Sequence, residues 1–124
     1  MTATASDLKS RLNSAVTAHS LWKQRLADAV QSGGQGLDAA QLEKDNLCEL
    51  GKWLYASPEH GSHPHYEKVR QLHAEFHRQA AAVLRMGLKG QTAAALQCLR
   101  SSDSDYVRVS ASLVLELSAW KKSL

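Results

Sequence analysis

Disulfides, membrane spans and β-strands are what this sequence fails to provide for. Only two cysteines, Cys48 and Cys98, occur in 124 residues, too few for the cross-linked framework of a small secreted domain. No apolar run approaches the roughly 20 residues that cross a bilayer. The opening MTATASDLKSRL lacks the apolar centre of a signal peptide. The expectation is a cytoplasmic chain with reduced thiols and no membrane partner. Lys and Arg exceed Asp and Glu by three, but the basic residues are scattered from Lys9 to Lys121, and aromatic residues are few. Nucleic-acid binding wants a concentrated basic patch with aromatics to stack on, so that class is excluded as well. β-branched residues never alternate with polar ones over a useful length, which leaves helix.

Helix is well supplied. The breakers gather in SGGQG (32–36), SPEHGSHP (57–64), GLKGQ (87–91) and SSDSD (101–105). Between them lie segments rich in Ala, Leu, Gln, Lys and Arg. A first helix is predicted from Asp7 to Gln31, its seam formed by Leu8, Leu12, Ala15, His19, Trp22, Leu26 and Ala29. A second is predicted from Asp38 to Ala56, opened by a capping box of Asp38 and Gln41, with Leu47, Leu50, Gly51 and Leu54 inward. Pro64 suits the first turn of a third, from His65 to Gly87, with the stripe Val69, Leu72, Phe76, Ala80, Val83 and Leu84. A short helix from Thr92 to Arg100 precedes a last one from Ser104 to Lys121, which buries Tyr106, Val109, Leu113, Leu117 and Trp120. Short connections between amphipathic helices imply an all-α, antiparallel up-and-down bundle of four long-to-medium helices plus one short helix. No internal repeat divides it. Residues 6–121 read as one domain, with 1–5 and 122–124 as short flexible ends.

Three of the helices carry groups out of place in an aliphatic seam. His19 occupies a core position; alone it reads as a buried histidine hydrogen-bonded to a neighbour, or as a metal ligand. Cys48 lies in CELGKW, three residues before Gly51. A mid-helix glycine costs about 1 kcal/mol against alanine, so something needs the missing side chain: a neighbouring helix approaching closely, or a bulky group filling the space. HAEFH (73–77) sets His73 and His77 one turn apart on one face. It is close to the zinc-protease signature, but Glu75 stands about 200° round the helix from His73 and cannot serve as general base there. The levels also agree. His19 lies about twelve residues before the end of its helix and Cys48 about ten after the start of the next; Cys48 is then about eight from that end, and His73 about eight into the third. Three imidazoles and one thiolate suit a tetrahedral Zn²⁺.

In this order and spacing, HSLW (19–22), CELGKW (48–53) and HAEFH resemble the chemoreceptor zinc-binding domain, abbreviated CZB. The resemblance runs from about Leu8 to the end of the chain. It implies a cytoplasmic helical bundle, usually a homodimer, that holds zinc through His19, Cys48, His73 and His77. It also implies a bacterial signalling setting, attached to or acting with chemoreceptors or diguanylate cyclases, and sensing of zinc or of oxidants such as hypochlorous acid. Trp22, Gly51 and Trp53 fill motif positions and are expected to pack around the site. His60, His63 and His65 crowd one loop and read as solvated. Cys98 matches no motif position and reads as core.

Four protein ligands leave no open position for water, which argues against zinc hydrolysis and for a non-enzymatic role. The leading expectation is a sensory or regulatory domain whose redox-sensitive group is Cys48, deprotonated by zinc and therefore nucleophilic. Two alternatives stand beside it. Zinc can be a constitutive staple in a dimerisation or interaction domain, or His19, His73 and His77 can form a catalytic centre from which Cys48 moves aside. A di-iron bundle is disfavoured by the absence of Glu-x-x-His pairs.

Overall fold

The computed structural model describes residues 5–33, 36–56 and 63–124, with side chains given from Asp7 onward. All regular structure among them is helical: α1 (Ala5–Gln31), α2 (Ala39–Leu42), α3 (Glu49–Ala56), α4 (Tyr66–Leu88), α5 (Thr92–Arg100) and α6 (Asp105–Lys122). No described helix is long and apolar enough to cross a membrane.

The fold is an all-α bundle with α4 at its centre, packed against α1, α2, α5 and α6, with α3 against its first half. Two surface contacts fix the sense of the long helices. Lys121 donates to the Asn13 side chain at 2.9 Å, placing the end of α6 beside the start of α1. His65, just ahead of α4, pairs with Glu116 at 2.8 Å near the end of α6. Thus α1 and α4 both run against α6, and the 36–56 arm joins α1 to α4. Most of the predicted seam positions are buried: Leu12, Leu26, Val69, Phe76, Leu84, Leu113 and Leu117 are sealed from solvent and Trp120 nearly so, while Leu8, Trp22, Leu72 and Val109 are only partly covered. At about 25 cal/mol per Å² of apolar surface, burial of these side chains is the main favourable contribution. Where α1 and α4 converge, Gly87 leaves room for Val30; a Cβ there would stand 3.0 Å from a Val30 methyl.

The predicted second helix is corrected by the structure. Its capping residue is right, since Asp38 accepts from the Gln41 backbone N–H at 3.2 Å. But α2 ends at Leu42, and α3 starts only at Glu49. Between them, Lys44-Asp45-Asn46 turns the chain, as Asp and Asn do by offering side-chain oxygens to nearby backbone. The turn folds back on α3 so closely that a Cβ on Gly51 would lie 1.7 Å from the Asp45 carbonyl oxygen. What needs Gly51 bare is therefore its own preceding loop, and neither a neighbouring helix nor a bulky group as the sequence suggested. Leu47, expected inside, falls in this turn and is 47% exposed. Tyr55 donates to the Asp45 carboxylate and Arg85 of α4 to Glu43 at 2.6 Å, which hold the turn from both sides.

Candidate metal centre

Each element delivers its group for a local reason. His19 sits mid-way along α1 in the seam, 3% exposed, with its ring edge-on to His73 and Phe76. Its Nδ1 lies 2.8 Å from the Ala15 carbonyl one turn earlier. A carbonyl only accepts, so Nδ1 carries the proton and Nε2 presents its lone pair inward. That Nε2 is buried with no hydrogen-bond partner. His77 repeats the arrangement with a different carbonyl: Nδ1 donates to Leu42 at the end of α2, 2.7 Å away. One turn earlier on α4, His73 is fully buried, and its Nδ1 has no partner. Cys48 stands immediately before α3, where Sγ accepts from the Gly51 backbone N–H at 3.4 Å in the manner of a helix N-cap.

These four groups meet. Cys48 Sγ lies 3.1 Å from His73 Nε2 and 3.5 Å from His77 Nε2, and the two imidazole nitrogens are 3.0 Å apart. His19 completes a set whose ligand atoms all fall within 4.8 Å of one another. Zn–N bonds of about 2.0–2.1 Å and Zn–S bonds of about 2.3 Å give a tetrahedron with edges of roughly 3.3–3.6 Å. The separations among Cys48, His73 and His77, 3.0–3.5 Å, are close to that size, and His19 stands within 4.8 Å of them. Two oriented lone pairs, from His19 and His77, converge with the His73 imidazole and a thiol, and with the His19 Nε2 orphaned the set fits a single metal ion better than hydrogen bonds among themselves.

The electrostatics agree. Burial drives the His19 pKa down to about 4, against the Ala15 hydrogen bond, and that of His73 down to about 2, with His77 and His19 adding to the effect. His77 is lowered too, again chiefly by burial. All three imidazoles are therefore neutral at pH 7, the form a metal requires. Burial pushes the Cys48 thiol up, and the backbone N–H groups at the start of α3 offset this only in part. No lysine or arginine assists, so metal-free Cys48 is a thiol.

Cys48 is also the most accessible of the four. A cleft of about 970 Å³ between α1 and residues 47–50 has His19 and Cys48 on its wall, with Trp22, Leu47 and Leu50 supplying apolar lining. A smaller one, about 270 Å³, reaches Cys48 and His77 from the side of α2. Trp22 borders both and carries Arg25 over its ring at 3.9 Å. Trp53 lies against Trp120, 5.4 Å between centroids.

Other sequence candidates are elsewhere. Glu75 faces outward to Arg78 and Gln79, as its position on the helix requires. His63 stacks on Trp120 and His65 pairs with Glu116, while His60 lies outside the described residues. Cys98 packs against the core. The groups that sequence reasoning missed are the Ala15 and Leu42 carbonyls, which no side-chain pattern signals, and the 43–48 turn, which Asp45-Asn46 does.

A helical bundle with three neutral imidazoles and one thiol at a common point defines a metal-binding domain with a closed His₃Cys site. The family model of the chemoreceptor zinc-binding domain matches residues 19–84, 66 of the 124, and takes in all four of these groups. The chain belongs to the chemoreceptor zinc-binding domain family, whose metal is zinc. Comparison with curated proteins and with solved structures gave no match.

Proposed function

We propose that this chain is a non-enzymatic sensory or regulatory domain. It binds one zinc ion through His19, Cys48, His73 and His77 and reports zinc availability or oxidants through Cys48. The observation that carries this reading is the asymmetry of the cluster: three buried, neutral histidines and one half-buried thiol that, of the four groups, is the one lining both clefts. Bound zinc supplies the Lewis acidity that holds Cys48 as a thiolate at neutral pH. With hypochlorous acid, Cys48 sulfur is oxidised to the sulfenic acid as chlorine is reduced to chloride. A sulfenic acid would be the poorer ligand, so the 43–48 turn would lose its tie to the α4 histidines through Cys48 and keep those of Leu42 to His77 and Glu43 to Arg85. The family's name supports a chemoreceptor as the signalling partner; a cytoplasmic homodimer in a bacterial setting, with a diguanylate cyclase as the other partner, belongs to the same reading through the family resemblance.

Purified protein should carry one zinc per chain by elemental analysis, and Cys48→Ser should weaken zinc binding by orders of magnitude. Metal well below one per chain, or an unchanged affinity in Cys48→Ser, removes the ligand assignment. Titration with hypochlorous acid then separates sensor from staple: a sensor loses zinc and shifts its oligomer mass as Cys48 oxidises. A domain that keeps zinc and helicity at those doses is a structural one.

A further inference from the structure

The two clefts flanking Cys48 bear on how the metal comes and goes. In a closed site the ion cannot be reached until one ligand yields, and the structure distinguishes the four in this respect. His73 is sealed, and His19 and His77 are each 3% exposed and held by hydrogen bonds to backbone carbonyls. Cys48 is half-buried, and its polar contacts beyond the cluster are backbone N–H groups at the start of α3, Gly51 at 3.4 Å among them. The larger cleft brings open space to Cys48, with His19 on the same wall and its unpartnered Nε2 buried just behind. Its volume falls within the several hundred to about 1,000 Å³ typical of small-molecule sites.

We infer that the cleft between α1 and residues 47–50 is a docking site for a small chelating molecule, which takes zinc from the domain or delivers it by direct ligand exchange at Cys48. The inference rests on the four groups being the zinc ligands. In the outward direction a donor atom of the chelator bonds to zinc as the Cys48 Sγ–zinc bond breaks. The released thiolate then takes a proton from solvent, and the histidine bonds are replaced in turn. No electrons are exchanged. Trp22, Leu47 and Leu50 give the chelator an apolar wall, and the lining carries both signs of charge, Arg11 and Arg25 with Asp7 and Glu49. The smaller cleft, which reaches His77 instead of His19, is the natural control.

The test uses the zinc-loaded full chain and 4-(2-pyridylazo)resorcinol, a small anionic chelator that changes colour on taking up zinc. Loading is verified first by elemental analysis, so a chain that holds no zinc overturns the ligand assignment before any rate is read. In the wild-type chain the transfer rate should rise in proportion to chelator concentration. Ser14→Trp or Ala18→Trp, both exposed positions on α1 that line the cleft, should slow transfer roughly tenfold, the kinetic equivalent of about 1.4 kcal/mol. Equilibrium affinity should be unchanged, and Gln41→Trp on the smaller cleft should leave the rate alone. A wild-type rate independent of chelator concentration means that zinc leaves unaided and overturns the inference. So does an unchanged rate in both cleft-filling variants.

Discussion

At the scale of single residues, the cluster fixes how many protons move when zinc binds. The three imidazoles are already neutral because burial lowers their pKa values, to about 4 for His19 and about 2 for His73. The Cys48 thiol is raised by the same burial and keeps its proton. Zinc binding near pH 7.5 should therefore release about one proton per chain, all of it from Cys48. Calorimetry in buffers of different ionisation enthalpy gives the count, and a Cys48→Ala chain should release close to none. Release of two or more would show that a histidine is charged in the metal-free fold. The ligands were legible because nitrogen and sulfur are conspicuous in aliphatic seams. Their orienting partners were not, since backbone carbonyls look alike at every position.

Among the elements, the arm between α1 and α4 decides the site. Sequence periodicity reads it as one helix, because Leu47, Leu50 and Leu54 keep helical spacing and nothing but Asp45-Asn46 marks a break. The capping residue and the glycine were both legible, but not that the glycine's close neighbour is its own loop. That close approach makes Gly51 the most sensitive position outside the ligands. Gly51→Ala would place a methyl group 1.7 Å from the Asp45 carbonyl oxygen, where backbone must move. The expected cost is about 3 kcal/mol, read as a lower Tm in thermal unfolding, with a weaker zinc Kd because the displaced turn carries Cys48. By contrast Lys52→Ala, an exposed neighbour on α3, should change neither. Equal effects in the two variants would mean that the turn is free to rearrange.

For the whole molecule, the same histidines tie stability to pH. In the unfolded chain they titrate near 6.5, whereas in the fold His19 and His73 resist protonation until about 4 and about 2. Between those limits the unfolded chain binds protons that the folded chain refuses, so stability falls as pH falls below about 6.5. Metal-free protein should lose denaturant resistance steadily from pH 7 to pH 4.5. Replacing His19 with Phe, beside Phe76, should flatten that slope. Zinc adds to it, since protons compete for the same nitrogens. The bundle as a whole was legible in the sequence because its buried stripes are long and regular. The antiparallel senses follow from connection length, and the contacts from Lys121 to Asn13 and from His65 to Glu116 agree with them.

The carbonyls of Ala15 and Leu42 have a consequence for how this chain can change over generations. Metal sites oriented by carboxylate side chains are open to loss through a single codon at the supporting position. Here both supports are main-chain atoms, present whatever residue occupies 15 or 42 so long as α1 and α2 keep their course. Point mutation can silence this centre by striking one of four ligands or by bending the backbone, and by little else. Inheritance of the site is thereby tied to inheritance of the fold.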